Sequence, residues 1–517
     1  MIADIIRYYI EYTAEEMGTL LKKAAYSPNI KERMDHSCAI FDWKRRMIAQ
    51  AEHIPVHLGA MPLGVKKALE IFHDDLRDGD VIIFNDPYIG GTHLPDITLI
   101  QPVYYEDNLI GYSVTRAHHS DVGGKVPGSM PGDAIEIFEE GLRIPPIKIV
   151  KRGEINKDVL NLILLNSRTP RERKGDLLAQ ISANKMGAER LKKIVEKYGL
   201  KSYMRAVEDI LNYAEKRVRK EIEKLPKGIY SAIDYMDDTG IVDKPVKIKA
   251  TIKIENNKMV FDFTGTDKQV DGPINAPLAV TISASYYVLK AVTDPTIPAN
   301  EGAYRPLEVI APEGTVVNAK PPAAISGGNV ETSQRIVDVL LKAFSKAIPD
   351  KIPAAAQGTM NNISIGGIDP RTGESFTFYE TIGGGYGARK GLDGENGVHS
   401  HMTNTLNTPI EEIERRFPIM ILKYSLREDS GGKGRWKGGD GIERVYLAKT
   451  RIKVSLMGER HKFKPWGLQG GEPGKPGEYI LVKKSGEEIK LPSKTTIIME
   501  EGDKLIIRTP GGGGYGE

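Results

Sequence analysis

The densest grouping of side chains able to do chemistry in this 517-residue sequence falls between positions 90 and 121. Gly90-Gly91-Thr92-His93-Leu94-Pro95-Asp96 sets an imidazole and a carboxylate three residues apart, a spacing that lets both turn toward one point from a loop. A neutral nitrogen donor beside a charged oxygen donor suits Zn, Mn or Fe. A third ligand is then needed, and His118 and His119 close the next predicted strand. Successive strand side chains face opposite ways, so one of the two can share the ion while the other orients a ligand or meets substrate. By spacing alone, His93 could equally be a turn histidine bonded to its neighbours. What favours a metal centre is the crowding of His93, Asp96, His118, His119 and Asp121 at the ends of two predicted strands.

Asp35 and His36 form a second polar focus just before a predicted strand. There Asp35 reads as a further ligand, a general base or a charged strand-entry residue. His53 and His57 flank Pro55 at the start of a predicted helix and suit substrate contact or helix capping. The glycine-dominated run Gly383–Gly397 could aim backbone N–H groups at an anion, or could simply build tight turns. It fits neither of the nucleotide-binding glycine patterns, and Gly123-Gly124-Lys125 is followed by Val126 where a P-loop needs Ser or Thr. The sequence contains neither GxSxG nor CxxC.

Apolar spacing near 3.6 predicts a helix over 2–26, stopped by Ser27-Pro28 because proline disfavours helix at the residue before it. Ser37–Asp42 reads as a strand, 57–76 as a helix, and the wholly apolar Val81–Phe84 as a strand buried on both faces. It runs into a loop carrying Gly90, Gly91, His93 and Asp96, followed by a strand over about 109–118. Residues 127–155 read as a long Gly- and Pro-rich loop, and 157–224 as charged helix. The period then drops to two: Val246, Ile248, Ala250, Ile252 and Ile254 alternate with polar residues, and Asn256-Asn257 turns the chain into Met259–Phe263. Helices follow near 279–293 and 331–347, and short strands and turns fill the chain from about 440. The expected fold is mixed α/β (α+β) and multidomain. Its parts are an N-terminal metal-binding α/β region with a charged helical segment over 1–225, a central α/β region with the glycine loop over 226–425, and a β-rich region over 426–517.

Bulk properties exclude several classes. A net charge of +3 gives no field to draw nucleic acid or a membrane surface. No apolar run reaches the roughly 18–20 residues that span a bilayer, and Met1-Ile2-Ala3-Asp4 lacks the basic start and apolar core of a secretory signal. The lone cysteine, Cys38, rules out an internal disulfide framework and fits a cytoplasmic setting.

Several long, ordered motifs make the chain resemble the hydantoinase B/oxoprolinase family along nearly its whole length. They are Asn29–Ala39, Asn85-Asp86-Pro87 through Asp96, His118 through Gly124, Gly328 through Arg335, Gly383 through Gly387, and Thr509 through Gly516. The resemblance implies a metal site at His93, Asp96, His118 and Asp35, with Asp35 or His119 managing protons. It also implies a hydantoinase A-type partner that uses ATP to phosphorylate a small cyclic amide. Amide resonance makes a lactam or ureide a poor electrophile. A phosphate ester on its carbonyl oxygen leaves an imidate-like carbon open to water, which a divalent metal can activate near neutral pH. Two alternatives remain open: the metal subunit of an ATP-dependent ketone carboxylase, and a non-catalytic assembly subunit.

Overall fold

Alternation along one strand decides how the N-terminal part is layered. In β1 (His36–Asp42), Cys38 and Ile40 point to one side while Ala39 and Phe41 point to the other, and all four are fully buried. Both faces of this sheet must therefore be covered. The computed structural model, which describes residues 2–51, 53–72 and 75–517, shows by what.

The sheet has seven strands: β1, β2 (Met47–Gln50), β3 (Val81–Phe84), β4 (Asp96–Tyr105), β5 (Asn108–His118), β6 (Ile147–Lys151) and β7 (Glu154–Ile155). Their order is β2-β1-β5-β4-β3-β6-β7, and every neighbouring pair is antiparallel. One face packs on α1 (Ile2–Ala24), joined through the short α2 (Pro28–Lys31) to β1. The other face meets α3 (Pro55–Phe72). Burial of β3 on both sides thus arises from helices laid over an antiparallel sheet, not from parallel crossovers. Asp96, expected in a loop, is the first residue of β4, because Ile97, Leu99 and Ile100 carry buried strand structure up to it.

The charged stretch after residue 156 is three helices: α4 (Lys157–Leu165), α5 (Pro170–Tyr198) and α6 (Leu200–Glu223). Pro170 sits in the first turn of α5, where its missing N–H costs nothing. Gly199, at φ +81°, makes the break before α6. α5 lies across β4 and β5 and turns Gln180 and Asn184 toward the sheet. Asn184 Nδ2 donates to Leu99 O at 3.1 Å.

Next come β8 (Gly228–Met236), β9 (Val246–Ile254), β10 (Met259–Asp262), α7 (Leu278–Val292), α8 (Glu301–Tyr304), β11 (Leu307–Ile310) and α9 (Ser333–Phe344). The second sheet runs β11-β10-β9-β8, with β10 and β11 parallel and the other pairs antiparallel. α7 and α9 fill the space between the two sheets. One apolar core runs without a break from Phe41 through Val65, Ala284 and Val339 to Ile252. The helix expected over 331–347 begins at Ser333 and follows one π-helical turn, Gly328–Thr332.

The rest of the chain comprises β12 (Asn362–Ile368), β13 (Ser375–Glu380), α10 (Ile410–Arg416), β14 (Ile419–Arg427), β15 (Gly441–Ala448), β16 (Ile452–Met457), β17 (Glu478–Val482), β18 (Glu488–Leu491), β19 (Lys494–Met499) and β20 (Lys504–Arg508). These strands form two antiparallel sheets, β13-β12-β16-β19 and β14-β15-β20-β17-β18. The sheets share a core that includes Ile363, Val454, Tyr446 and Leu505. The glycine run 383–397 lies between them as backbone packed on backbone. A Cβ at Gly385 would stand 1.9 Å from Gly439 O, and one at Gly387 would stand 1.7 Å from Ala354 O. Four of its glycine N–H groups are already engaged, Gly384 N with Val398 O, Gly385 N with Pro510 O, Gly394 N with Lys437 O and Gly397 N with Asp440 O. Close chain crossing explains Gly383, Gly385, Gly387 and Gly394, while Gly391, at φ +88° with open space around it, and Gly397, at φ +63°, serve turns.

Gly59 lets α3 and α7 touch: a Cβ there would stand 2.5 Å from Ser283 Cα, while Ser283 Oγ donates to Pro55 O at 2.8 Å. Substituting Gly59→Val should overpack this contact and lower stability by about 1–3 kcal/mol. Denaturant titration is the check.

Candidate metal centre

Strand register builds the site. Along the β4–β5 pair Asp96 stands directly opposite His118. Along β1–β5, His36 stands opposite Ala117, and Asp35 O accepts the His118 N–H at 3.0 Å. Asp35, Asp96 and His118 therefore share one end of the sheet. The turn His93-Leu94-Pro95, closed by Asp96 N donating to His93 O, folds His93 over the same end. The first turn of α3 adds His57.

The side-chain atoms converge. Asp96 Oδ2 lies 2.9 Å from His93 Nδ1, and Asp96 Oδ1 lies 3.4 Å from His118 Nδ1 and 3.2 Å from His57 Nε2. Asp35 stands slightly further out, 3.9 Å from both His57 Nε2 and His118 Nδ1. Among the described residues, His93, Asp96 and His118 form a set whose donor atoms all lie within 4.8 Å of one another. His93 and Asp96 are wholly buried and His118 is nearly so.

This arrangement fits a cation. His93 Nε2, His118 Nε2 and Asp96 Oδ1 are buried without a hydrogen bond of acceptable direction, although charged or polar neighbours crowd them. Ligands about 2.0–2.2 Å from a tetrahedral Zn ion sit roughly 3.3 Å from one another, close to the spacings of Asp96 Oδ1 from His57 and His118. Protonation states agree. Burial alone would raise the Asp96 carboxyl, but His57 and His93 outweigh it and hold it well below the usual carboxylate range. Burial lowers the His118 imidazole, against the pull of Asp35 and Asp96. A deprotonated carboxylate and a neutral imidazole are the forms that bind metal.

The surroundings hold these groups in place. The His118 ring stacks on Tyr379 with centroids 4.4 Å apart and planes 7° apart. Asn29 Nδ2 donates to His118 O at 2.7 Å. Arg33 lies over Tyr379, 3.6 Å from Asp35 Oδ2, and its other nitrogen donates to Thr381 Oγ1 at 2.6 Å. Asn329 Nδ2 approaches His93 Nδ1 at 3.2 Å. Ser37 Oγ meets His57 Nδ1 at 3.2 Å.

Strand alternation sends His119 the other way, to α5, where its Nε2 meets Gln180 Oε1 at 2.8 Å. Burial, reinforced by Arg173, pushes that imidazole down to about 3. Asp121 organises the following loop, bonding Gly123 N, Gly128 N and Arg168. His53 packs its ring against His36. Local spacing points to His57 only as a substrate or capping residue, and it passes over Tyr379 and Asn329. They arrive from α3, the end of β13 and the π turn, so only tertiary structure joins them to His93.

The chain is a member of the hydantoinase B/oxoprolinase family, whose model matches residues 1–517. It is 50% identical to an uncharacterized protein of Methanocaldococcus jannaschii, covering 99% of this chain and 90% of that one. It is 40% identical to 5-oxoprolinase 1 of Arabidopsis thaliana, where the match takes in 97% of this chain but only 40% of the longer plant protein. It is 35% identical to a Pseudomonas protein provisionally named as the B subunit of a D-/L-hydantoinase, over 98% of this chain and 88% of that protein. Among solved structures, the ATP-dependent caprolactamase of Pseudomonas jessenii superposes with a TM-score of 0.93 at 29% identity, covering 99% of this chain and 90% of that one. An acetone carboxylase chain shares the fold, with a TM-score of 0.92 at 20% identity, covering 100% of this chain and 75% of that one.

The buried imidazoles imply acid sensitivity. Burial, with His53 adding to it, pushes His36 down to about 3, as burial does His119. An unfolded chain protonates both near 6.5. Their contribution is therefore intact above about pH 6.5 and is lost as pH falls toward 3, by about 1.4 kcal/mol per pH unit for each imidazole. Urea unfolding of chelator-treated protein at pH 7 and pH 5 should show this loss, and His119→Gln should remove one imidazole's share.

Proposed function

We propose that this chain is the metal-dependent B subunit of an ATP-dependent cyclic amidohydrolase of the 5-oxoprolinase or hydantoinase type. It works with an ATP-using partner of the hydantoinase A type. The observation that carries the reading is the convergence at one sheet end of His93, Asp96 and His118, all buried, each offering a ligand atom within 4.8 Å of the other two. The relatives' names support the substrate class: 5-oxoproline, hydantoin and caprolactam each hold an amide C–N bond in a small ring. One relative is named as one subunit of a hydantoinase and another as an ATP-dependent caprolactamase, and both names support a division of labour. No described helix is long and apolar enough to cross a membrane.

His93, Asp96 and His118 would hold a divalent cation, whose Lewis acidity would make water reactive near neutral pH beside the activated amide carbon. The chain's own residues do the rest. Asp35, at the edge of the cluster and more exposed than Asp96, takes the proton from the attacking water. Arg33 orients that carboxylate from 3.6 Å. His57, tied to Ser37 through Nδ1, presents Nε2 to both carboxylates and passes the proton to the departing ring nitrogen, and the acyl phosphate left by C–N cleavage is hydrolysed by a second water to carboxylate and phosphate. His119, facing Gln180, supports the end of β5 and does not meet substrate.

Metal analysis of the purified chain, followed by cyclic-amide hydrolysis assays with ATP and the partner, tests the reading. About one Zn, Mn or Fe per chain is expected, lost in His93→Ala together with activity while the fold survives. Normal metal content and full activity in that variant would sink the assignment. Asp35→Asn should keep the metal and lower turnover by about 10²–10⁴-fold. Loss of the metal in this variant would make Asp35 a ligand instead of the base.

A further inference from the structure

The motif Gly328 through Arg335 contributes no donor atom to the His93–Asp96–His118 set, yet it forms a completely buried π-helical turn beside it. Isolated π turns inside helices are rare and frequently mark functional sites. This one is locked in place. A Cβ on Gly328 would stand 1.9 Å from Asn275 O, and Gly328 N donates to Pro273 O. Gln334 Nε2 donates to Ser400 O at 2.9 Å.

The turn reaches the metal centre along two routes. On the first, Asn329 touches His93 directly. The second is longer. Glu331 Oε1 accepts from Met360 N at 3.0 Å and from Asn362 Nδ2 at 2.7 Å. Asn362 Oδ1 in turn accepts from the Tyr379 hydroxyl at 2.8 Å. The Tyr379 ring lies flat on His118. With its amide oxygen bound by Tyr379 and its amide nitrogen bound to Glu331, Asn362 cannot flip without losing both bonds. It also donates to Met457 O at 2.8 Å. Every group in this chain of bonds is buried.

We propose that Glu331 is a positioning residue for the metal centre, acting through Asn362 and the Tyr379 hydroxyl to fix the plane of the His118 imidazole. The inference rests on the metal reading of the site. Groups behind metal ligands that set ring orientation typically carry a 10–100-fold effect on metal affinity or activity when removed. Glu331 acts here as a hydrogen-bond acceptor through Oε1, so glutamine should replace it. Burial also pushes the carboxyl up to about 8, which makes a neutral amide a close substitute at neutral pH.

The test is Zn²⁺ titration of the full chain by calorimetry. Wild type, Tyr379→Phe, Glu331→Gln, Glu331→Leu and the Tyr379→Phe/Glu331→Leu pair are compared. Tyr379→Phe keeps the stacked ring and loses only the hydroxyl link, so it should fold normally and bind Zn²⁺ about tenfold more weakly. Glu331→Gln should bind within about threefold of wild type, and Glu331→Leu about tenfold or more weakly. The double variant should be no weaker than Glu331→Leu alone, because both changes cut one chain of bonds. Wild-type affinity in Tyr379→Phe, or full additivity in the double variant, overturns the inference. Should Glu331→Leu not fold, Tyr379→Phe and Glu331→Gln decide alone: weak binding in the first with near-normal binding in the second is required. Absence of Zn²⁺ binding by the wild-type chain would instead count against the metal reading itself.

Discussion

A carboxylate can leave water only in the company of groups that replace the water, and Asp96 is wholly buried. Much of the N-terminal architecture answers that demand. Antiparallel pairing puts His118 across from Asp96, the preceding turn brings back His93, and α3 carries His57 in from the opposite layer. The three imidazoles crowd the carboxylate but do not satisfy all of its lone pairs, nor all of their own nitrogens. That residual demand is what a cation would meet.

The demand also explains why distant parts of the chain are fused into one body. Tyr379, Thr381 and Asn329 lie hundreds of positions from the strands they serve. They can hold His118, Arg33 and His93 only because α3, α7 and α9 share a continuous apolar core with both neighbouring sheets. Gly59 sets how closely α3 approaches α7, and α3 bears His57 in its first turn. Helix packing and site geometry are thus coupled through a single small residue.

Legibility in the sequence followed the range of the interaction. The helix ending before Ser27-Pro28, the alternation of Val246–Ile254 and the three-residue spacing of His93 and Asp96 are local patterns readable from neighbouring residues, whereas spacing left His118 and His119 as equals and only the family resemblance favoured His118. Mixed helix and sheet architecture was legible for the same reason. Strand direction was not: a wholly apolar β3 says that both faces are buried, but not whether the covering helices come from parallel crossovers. β4 as a whole was not legible, because Asp96 is polar and follows proline and Pro102 falls inside the strand. His57 was visible only as a histidine at a helix start. Its meeting with Asp96 depends on where α3 crosses the sheet, which no spacing encodes. The glycines of 383–397 were equally ambiguous, since a glycine needed for turning and one needed for crossing look alike until the crossing chains are seen.

Those crossings form a lattice. Gly385 lies against Gly439 and Gly512, Gly438 against Gly512, Gly471 against Gly514, and Gly474 against Gly511. The segment 511–514 runs through the middle of it, donating to Gly439 O, Ala355 O and Glu472 O. Every segment it braces is synthesised earlier. Contacts that close loops of this length form late and slowly. Until the glycine thread is in place, the carbonyls of Gly439, Ala355 and Glu472 can be bonded only by water or by other partners. The segment sits among these crossings as a keystone sits in an arch: the last piece in chain order closes contacts among pieces that precede it.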